Sequence, residues 1–289
     1  MIFEEMSDTK KSIYKVTGDK RNLKSFLLTE VGLSVSLLKK VKFTGLFVNG
    51  EKATVRKEIK QGDLVEIIFP NESSSEIEAI ESSIKVVFED EDILAVSKPT
   101  SMPVHPSKGN SLITLANAVM WYYRDRHFVF RAVNRLDRDT SGIVLIAKNR
   151  EAAHKLSSAM KRGEFTKEYL SVVDGCPAPR VGTVNAKIAR EREGEMKRVV
   201  REDGKHAVTH YEVIKSDGLR SLVRIRLETG RTHQIRVHMA YIGHPLTRDF
   251  LYGNGGPGDT YSLHAEKLTI PHPRTGALIT LIDDAPFDL

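Results

Sequence analysis

Residues 131–149 read RAVNRLDRDTSGIVLIAKN. The run IVLIA at 143–147 has no polar residue, which predicts a buried strand. Thr140-Ser141-Gly142 are poor interior residues for a strand or a helix, so the chain is expected to turn there. Asp137 then lies on a loop feeding a buried strand, with Arg135 two residues before it and Arg138 directly after. A carboxylate near arginines stays ionised and is oriented by them, which suits a nucleophile or a base rather than a general acid. On composition alone the commoner reading is a loop ion pair of Asp137 or Asp139 with Arg138. A glycosidase pairing Asp137 with Asp139 is a third reading. It is disfavoured because one carboxyl would need a raised pKa while the local arginines lower it.

Upstream, VVFEDEDILAVS at 86–97 reads as two strands joined by a tight acidic turn, ended by Lys98-Pro99. A helix is expected from Ser111, with Leu112, Leu115 and Val119 on one face. Downstream, LVRIRLE at 222–228 alternates as a strand, and Gly230 turns the chain. Thr232 is a candidate N-cap, and Ile235, Met239 and Ile242 form a helical stripe that Gly243 and Pro245 stop. HQIRVHM also alternates, so a strand over 233–239 stays open. His233 and His238 are spaced to fall on different faces of either element, and no cysteine or nearby carboxylate completes a site, so zinc is not expected. Arg231, at the turn before the helix, reads either as a pocket residue or as a surface charge.

The chain has 289 residues, 40% of them hydrophobic and 28% charged, which suffices for a sizeable core and excludes wholesale disorder. Lys and Arg exceed Asp and Glu by 44 − 38 = 6, consistent with a polyanionic partner. A single cysteine, Cys176, excludes a disulfide framework. MIFEEMSDTKK has no basic stretch followed by an apolar run, and no long apolar stretch follows, so a soluble cytoplasmic chain is expected. Residues 72–83, Ser/Glu-rich and without a basic residue, read as a linker between a domain at 1–71 and a larger one at 84–289. In the small domain, Leu23, Leu27 and Leu28 predict one helix. A second starts near Ser34 or Ser36, carries Leu37, Leu38 and Val41, and ends among Lys39, Lys40 and Lys42. Asn49-Gly50 signals a hairpin turn, and Gly62-Asp63 precedes the alternating strand LVEIIF.

That order of elements resembles the S4 RNA-binding domain, in which the second helix and the following turn face RNA. The resemblance implies RNA contacts at Lys39, Lys40 and Lys42, although Val35 stands where an Arg is common. In the larger domain, Arg135-Leu136-Asp137 followed by Thr140-Ser141-Gly142 resembles the RLDxxTSG signature of RluA-type pseudouridine synthases. Lys167, Tyr169, Leu170 and Gly175 fit that family's KxYLxxVxG segment. Residues 230–238 fit GRTHQIRxH, residues 243–253 fit GHPLxxDxLYG, and Leu263-His264-Ala265 with His272-Pro273 fit LHAxxL…HP. The departures are Asn134 for His, Ser97 for Asn and Arg248 for Gly.

The resemblance implies an α+β fold, a mixed and mainly antiparallel sheet with flanking helices. It implies isomerisation of uridine to pseudouridine in RNA, most often large-subunit ribosomal RNA, by a monomer needing no metal or cofactor. Asp137 maps onto the essential Asp, Arg231 onto the Arg that holds it, and Tyr169 onto the Tyr packing against uracil. Arg135 maps onto an Arg that contacts the opened RNA helix, because a target base must be flipped out of its stack. The alternatives are a non-catalytic RNA-binding assembly factor and a synthase acting on transfer RNA.

Overall fold

The apolar run at 143–147 forms part of a strand, Ser141–Ala147, in which every residue is buried. Both of its faces are covered. Ile143, Leu145 and Ala147 pack with Ala152 and Leu156, while Val144 and Ile146 pack with Leu115 and Val119. A strand covered on two sides needs no polar alternation, which explains the unbroken apolar sequence.

The computed structural model describes residues 11–33, 35–69, 77–106 and 113–289. The chain divides into two compact units, Met1–Ser73 and Ser74–Leu289. The first holds β1 (Lys11–Lys15), β2 (Arg21–Asn22), α1 (Leu23–Thr29), α2 (Val35–Val41), β3 (Leu46–Val48), β4 (Glu51–Lys52), β5 (Glu58–Ile59) and β6 (Leu64–Ile68). Its main sheet runs β1-β6-β3-β4, and β2 pairs with β5. Leu23, Leu27, Leu38 and Val41 enter its core. The Asn22 side chain accepts from Ser25 N–H and caps α1. Asn49 and Gly50 both have positive φ, 53° and 80°, the conformation a two-residue hairpin loop requires. Ser34 and the Ser36 side chain, the expected caps of α2, lie outside the described residues. β1 was not expected from sequence. Its residues KSIYK are exposed at every other position and half-buried between, so they carry no apolar signal.

The second unit holds β7 (Lys85–Glu89), β8 (Ile93–Lys98), α3 (Leu115–Tyr122), β9 (Ser141–Ala147), α4 (Arg150–Lys161), β10 (Thr166–Asp174), β11 (Val181–Asn185), β12 (Ile188–Arg190), β13 (Arg198–Val200), β14 (Val208–Ser216), β15 (Arg220–Leu227), α5 (Gln234–Tyr241), β16 (Leu263–Pro271) and β17 (Leu278–Ile282). Nine strands form one sheet in the order β11-β14-β15-β10-β16-β9-β8-β7, with β17 on β16. β9 and β16 run parallel, and the other neighbours in the sheet are antiparallel, so the fold is α+β with a mixed, mainly antiparallel sheet. Among the described residues no helix is long and apolar enough to cross a membrane.

Several local expectations are corrected. The turn before β9 falls at Arg138-Asp139, and Ser141 and Gly142 already belong to the strand. Gly142 is there because β16 comes close: a Cβ on it would lie 2.4 Å from the Ala265 carbonyl oxygen, and its φ is +107°. α3 starts at Leu115 rather than Ser111, because Thr114 and Asn117 form a capping box. Ser111 and Leu112 lie outside the described residues, as do residues 71–76 of the expected linker. Residues 77–83 carry no helix or strand, yet Ile77 and Ile84 pack on the α3 cluster, so this stretch belongs to the second unit.

Candidate active site

The loop before β9 is pinned from three sides. The Asn134 side chain donates to the Ile143 carbonyl at 3.1 Å and accepts from Leu145 N–H at 2.7 Å. Thr100 Oγ1 donates to the Asp139 carbonyl at 3.0 Å. Lys98, at the end of β8, is fully buried, and its Nζ donates at 2.8 Å to the carbonyls of Pro99, Met102 and Arg138. Burial pushes this ammonium down to about 8, opposed by the charges of Asp139 and Asp137. Asn134, a departure from the expected His, therefore serves the loop's backbone.

Arg138 does not engage Asp137. It grips Asp139 through two bonds of 2.9 Å, as the ion-pair reading allowed. Asp139 is buried and does not line the cleft, which removes it as the partner carboxylate of a glycosidase. Asp137 keeps its side chain 31% exposed, and His233 Nε2 lies 3.9 Å from its Oδ2.

Asp137 opens onto a cleft of about 700 Å³. Among the described residues lining it, Asp137 is the sole carboxylate. Arg135, Arg138, Lys167, Arg231 and Arg236 also line it, so the charged lining sums to 5 − 1 = +4. Tyr169, on β10, lines the cleft and packs in a cluster with Val223, Ile225 and Ile235. Burial, then the Asp137 charge, push its phenol well above the usual range, so it keeps its proton. Arg231 is exposed, and its Nε donates to the His206 carbonyl at 2.9 Å. The pairing with Asp137 that the resemblance implies is not formed, since no bridge of 4.0 Å or less joins them. Lys39 and Lys40 are exposed on α2, and Lys42 stacks its Nζ 4.3 Å from the Phe43 ring centroid. All three belong to the N-terminal unit.

The segment Gln234–Tyr241 is helical rather than extended, and its N-cap is His233 rather than Thr232. Gln234 ties down the turn that precedes the helix, its Oε1 accepting from Arg231 N–H at 3.0 Å and from Thr229 Oγ1 at 2.8 Å. Residues that the sequence reading left without a role complete the site. Arg236 on α5 is buried and forms a bidentate pair with Asp249 at 2.6 and 2.8 Å. It lies next to the Ile235–Met239 stripe, so burial was foreseeable, and a buried arginine requires an acid. Asp249 also accepts from the N–H groups of Leu251 and Tyr252, fixing that loop. Arg248, where the family commonly has Gly, holds φ at +64°, which gives the family glycine its physical reason.

The metal reading of the histidines finds no support in their placement. His238 is buried between Thr209 Oγ1 and the Ala186 carbonyl. Asp90, Asp92 and His272 bring ligand atoms within 4.8 Å of one another, but His272 already engages Asp90, while Arg274 and Asn149 engage Asp92.

A family model described as RNA pseudouridylate synthase matches residues 92–241. Over 252 residues the chain is 42% identical to the uncharacterized RNA pseudouridine synthase YjbO of Bacillus subtilis, covering 85% of this chain and 89% of that protein. The chain belongs to the RNA pseudouridylate synthase family. Like the other members, it is an RNA pseudouridine synthase. It is also 37% identical over 251 residues to the ribosomal large subunit pseudouridine synthase D of Haemophilus influenzae, covering 81% of this chain and 77% of that one. Among solved structures, human RNA pseudouridylate synthase domain containing 1 superposes with a TM-score of 0.61 at 26% identity, covering 72% of this chain and 87% of that one.

Proposed function

We propose that this synthase acts on uridines of large-subunit ribosomal RNA in the cytoplasm, as a monomer, with Asp137 as the essential carboxylate. The observation that carries the reading is a lone carboxylate facing five cations in one cleft of a pseudouridine synthase fold. In the reaction the C1′–N1 bond breaks, the uracil turns, and C1′ bonds to C5. The C5 hydrogen is released and N1 gains one, so the composition of the nucleotide is unchanged. Asp137 serves either at C1′ as nucleophile or as the base. Tyr169, a neutral phenol, packs against the flipped ring, and Arg231 orients Asp137 once the substrate has entered. Arg135 is exposed at the cleft and suits a phosphate or the opened stack. The ribosomal target rests on the printed names of relatives such as synthase D. The test is tritium release from 5-tritiated large-subunit ribosomal RNA and from transfer RNA, both lacking modification. Release from the ribosomal RNA alone is expected, and release only from transfer RNA would overturn the target.

A second cavity of about 470 Å³ adjoins the cleft, sharing Gly230, Arg231 and Thr232 with it. In the segment around β12 and β13, Lys187, Arg192, Lys197 and Arg201 each have a carboxylate partner. Arg190, Arg198 and Lys205 have none within 4.0 Å among the described residues, and these three line the cavity. Unpaired cations beside the cleft suit the backbone of an RNA strand. Each phosphate they neutralise contributes about 0.7 to the slope of log affinity against log salt on single strands. Changing Arg190 and Lys205 to Ala is therefore expected to lower that slope by about 1.4, and changing Lys39, Lys40 and Lys42 to Ala by about 2. Filter binding across a salt series checks both. An unchanged slope for the lysine triple would remove the proposed S4-like contact surface.

A further inference from the structure

We infer that His233 is a positioning residue for Asp137, presenting an Nε2–H to the carboxylate that a relay from the β13 backbone through Tyr252 enforces. The inference rests on the reading of Asp137 as the essential carboxylate.

The relay is set by donor and acceptor arithmetic. The Arg198 backbone N–H donates to Tyr252 Oη at 2.8 Å. The same oxygen lies 2.8 Å from His233 Nδ1. The phenol has one hydrogen, and no other acceptor for it lies within reach among the described residues. Donating it to Nδ1 satisfies both groups and makes Nδ1 an acceptor. Burial raises the Tyr252 phenol to about 12, so the hydrogen stays in place. A neutral imidazole that accepts at Nδ1 carries its proton on Nε2. That nitrogen lies 3.9 Å from Asp137 Oδ2. The separation is long for a direct bond, as catalytic contacts often are before substrate tightens them.

Two further features fit a functional role. His233 holds φ at +58° as the N-cap of α5, yet its side chain makes no capping bond. A left-handed backbone is unfavourable for a residue other than glycine, and such strain persists where the position serves a site. The ring is also fixed from the side, with its centroid 5.6 Å from that of Tyr252 at 80°. The charges facing it are Asp137 from the loop before β9, Arg236 from α5, Arg198 from β13 and Asp249 from the following loop. Burial, with Arg236 and Arg198 adding to it and Asp137 opposing, holds the imidazole below its ordinary value, so it works as a neutral donor.

The experiment uses the full chain and 5-tritiated RNA under single turnover with enzyme in excess, across a pH series. His233→Gln keeps an amide N–H where Nε2–H lies, whereas His233→Asn suits the left-handed backbone but falls short of Asp137. His233→Asn is expected to slow release about 10–100-fold, with RNA affinity within about twofold. Its acid limb should move to higher pH, because the carboxylate has lost a donor that favours its charged form. His233→Gln should recover most of the rate, and Tyr252→Phe should shift the acid limb in the same direction as His233→Asn. Equal loss in Gln and Asn, or a loss with an unmoved acid limb, would assign His233 to packing alone and overturn the inference. Asp137→Asn run in parallel separates the two readings. If it retains activity, the essential carboxylate is misassigned. If it is inactive while His233→Asn is unaffected, only the positioning role falls.

Discussion

Asp137→Asn is expected to abolish tritium release, by at least about 10⁴-fold, while leaving the protein folded and bound to RNA. The substitution keeps the shape of the side chain and removes its charge and its basicity. Nothing structural depends on that charge, since Arg138 is occupied by Asp139 and the loop is held through its backbone carbonyls. Binding should be equal to wild type or modestly tighter. The variant removes the one carboxylate that lines the cleft while Arg135, Lys167 and Arg231 stay there, and phosphates favour that field. Single-turnover release and filter binding on the same preparation decide the matter. An inactive variant with weakened binding would point to a role in holding RNA, and an active variant would end the assignment.

The largest loss of stability is expected at the Arg236–Asp249 pair. Both side chains are almost wholly inaccessible, at 4% and 0% exposure. Arg236 also lies 4.4 Å from the Tyr261 ring centroid and 4.9 Å from that of Tyr252. Arg236→Met strands a carboxylate in the interior and should cost about 3–5 kcal/mol. Asp249→Asn should cost less, because the amide oxygen still accepts from Leu251 and Tyr252, but it leaves the guanidinium unpaired. The double variant Arg236→Met/Asp249→Asn should be more stable than the sum of the singles by at least about 1 kcal/mol, since neither stranded charge remains. Denaturant midpoints of the four proteins measure the coupling, and strict additivity would refute it.

The central strand was legible because burial on both faces leaves an unbroken apolar signature. Helix α5 was legible from Ile235 and Met239, and the N-terminal hairpin from Asn49-Gly50. The misplaced turn at Ser141-Gly142 has a clear physical origin. Glycine usually marks chain reversal, but at 142 it makes room for the backbone of Ala265, a partner more than 120 residues away that no local pattern reveals. Arg138 was legible only in part: adjacency along the chain left Asp137 and Asp139 equally open as its partner, and the fold selects Asp139. His233, Tyr252 and Lys98 went unassigned because their roles depend on tautomer, loop closure and carbonyl convergence, which spacing does not encode.

The placement of β16 has a consequence for biosynthesis. It lies between β9 and β10, so the half of the sheet that presents Asp137 and the half that presents Tyr169 are joined through a strand near the C-terminus. Until residues 263–271 leave the ribosome, the nascent chain carries two open sheet edges and no assembled cleft. The synthase therefore becomes competent only once that strand has emerged and paired, and truncation before it yields an edge-exposed, aggregation-prone polypeptide instead of a weakened enzyme.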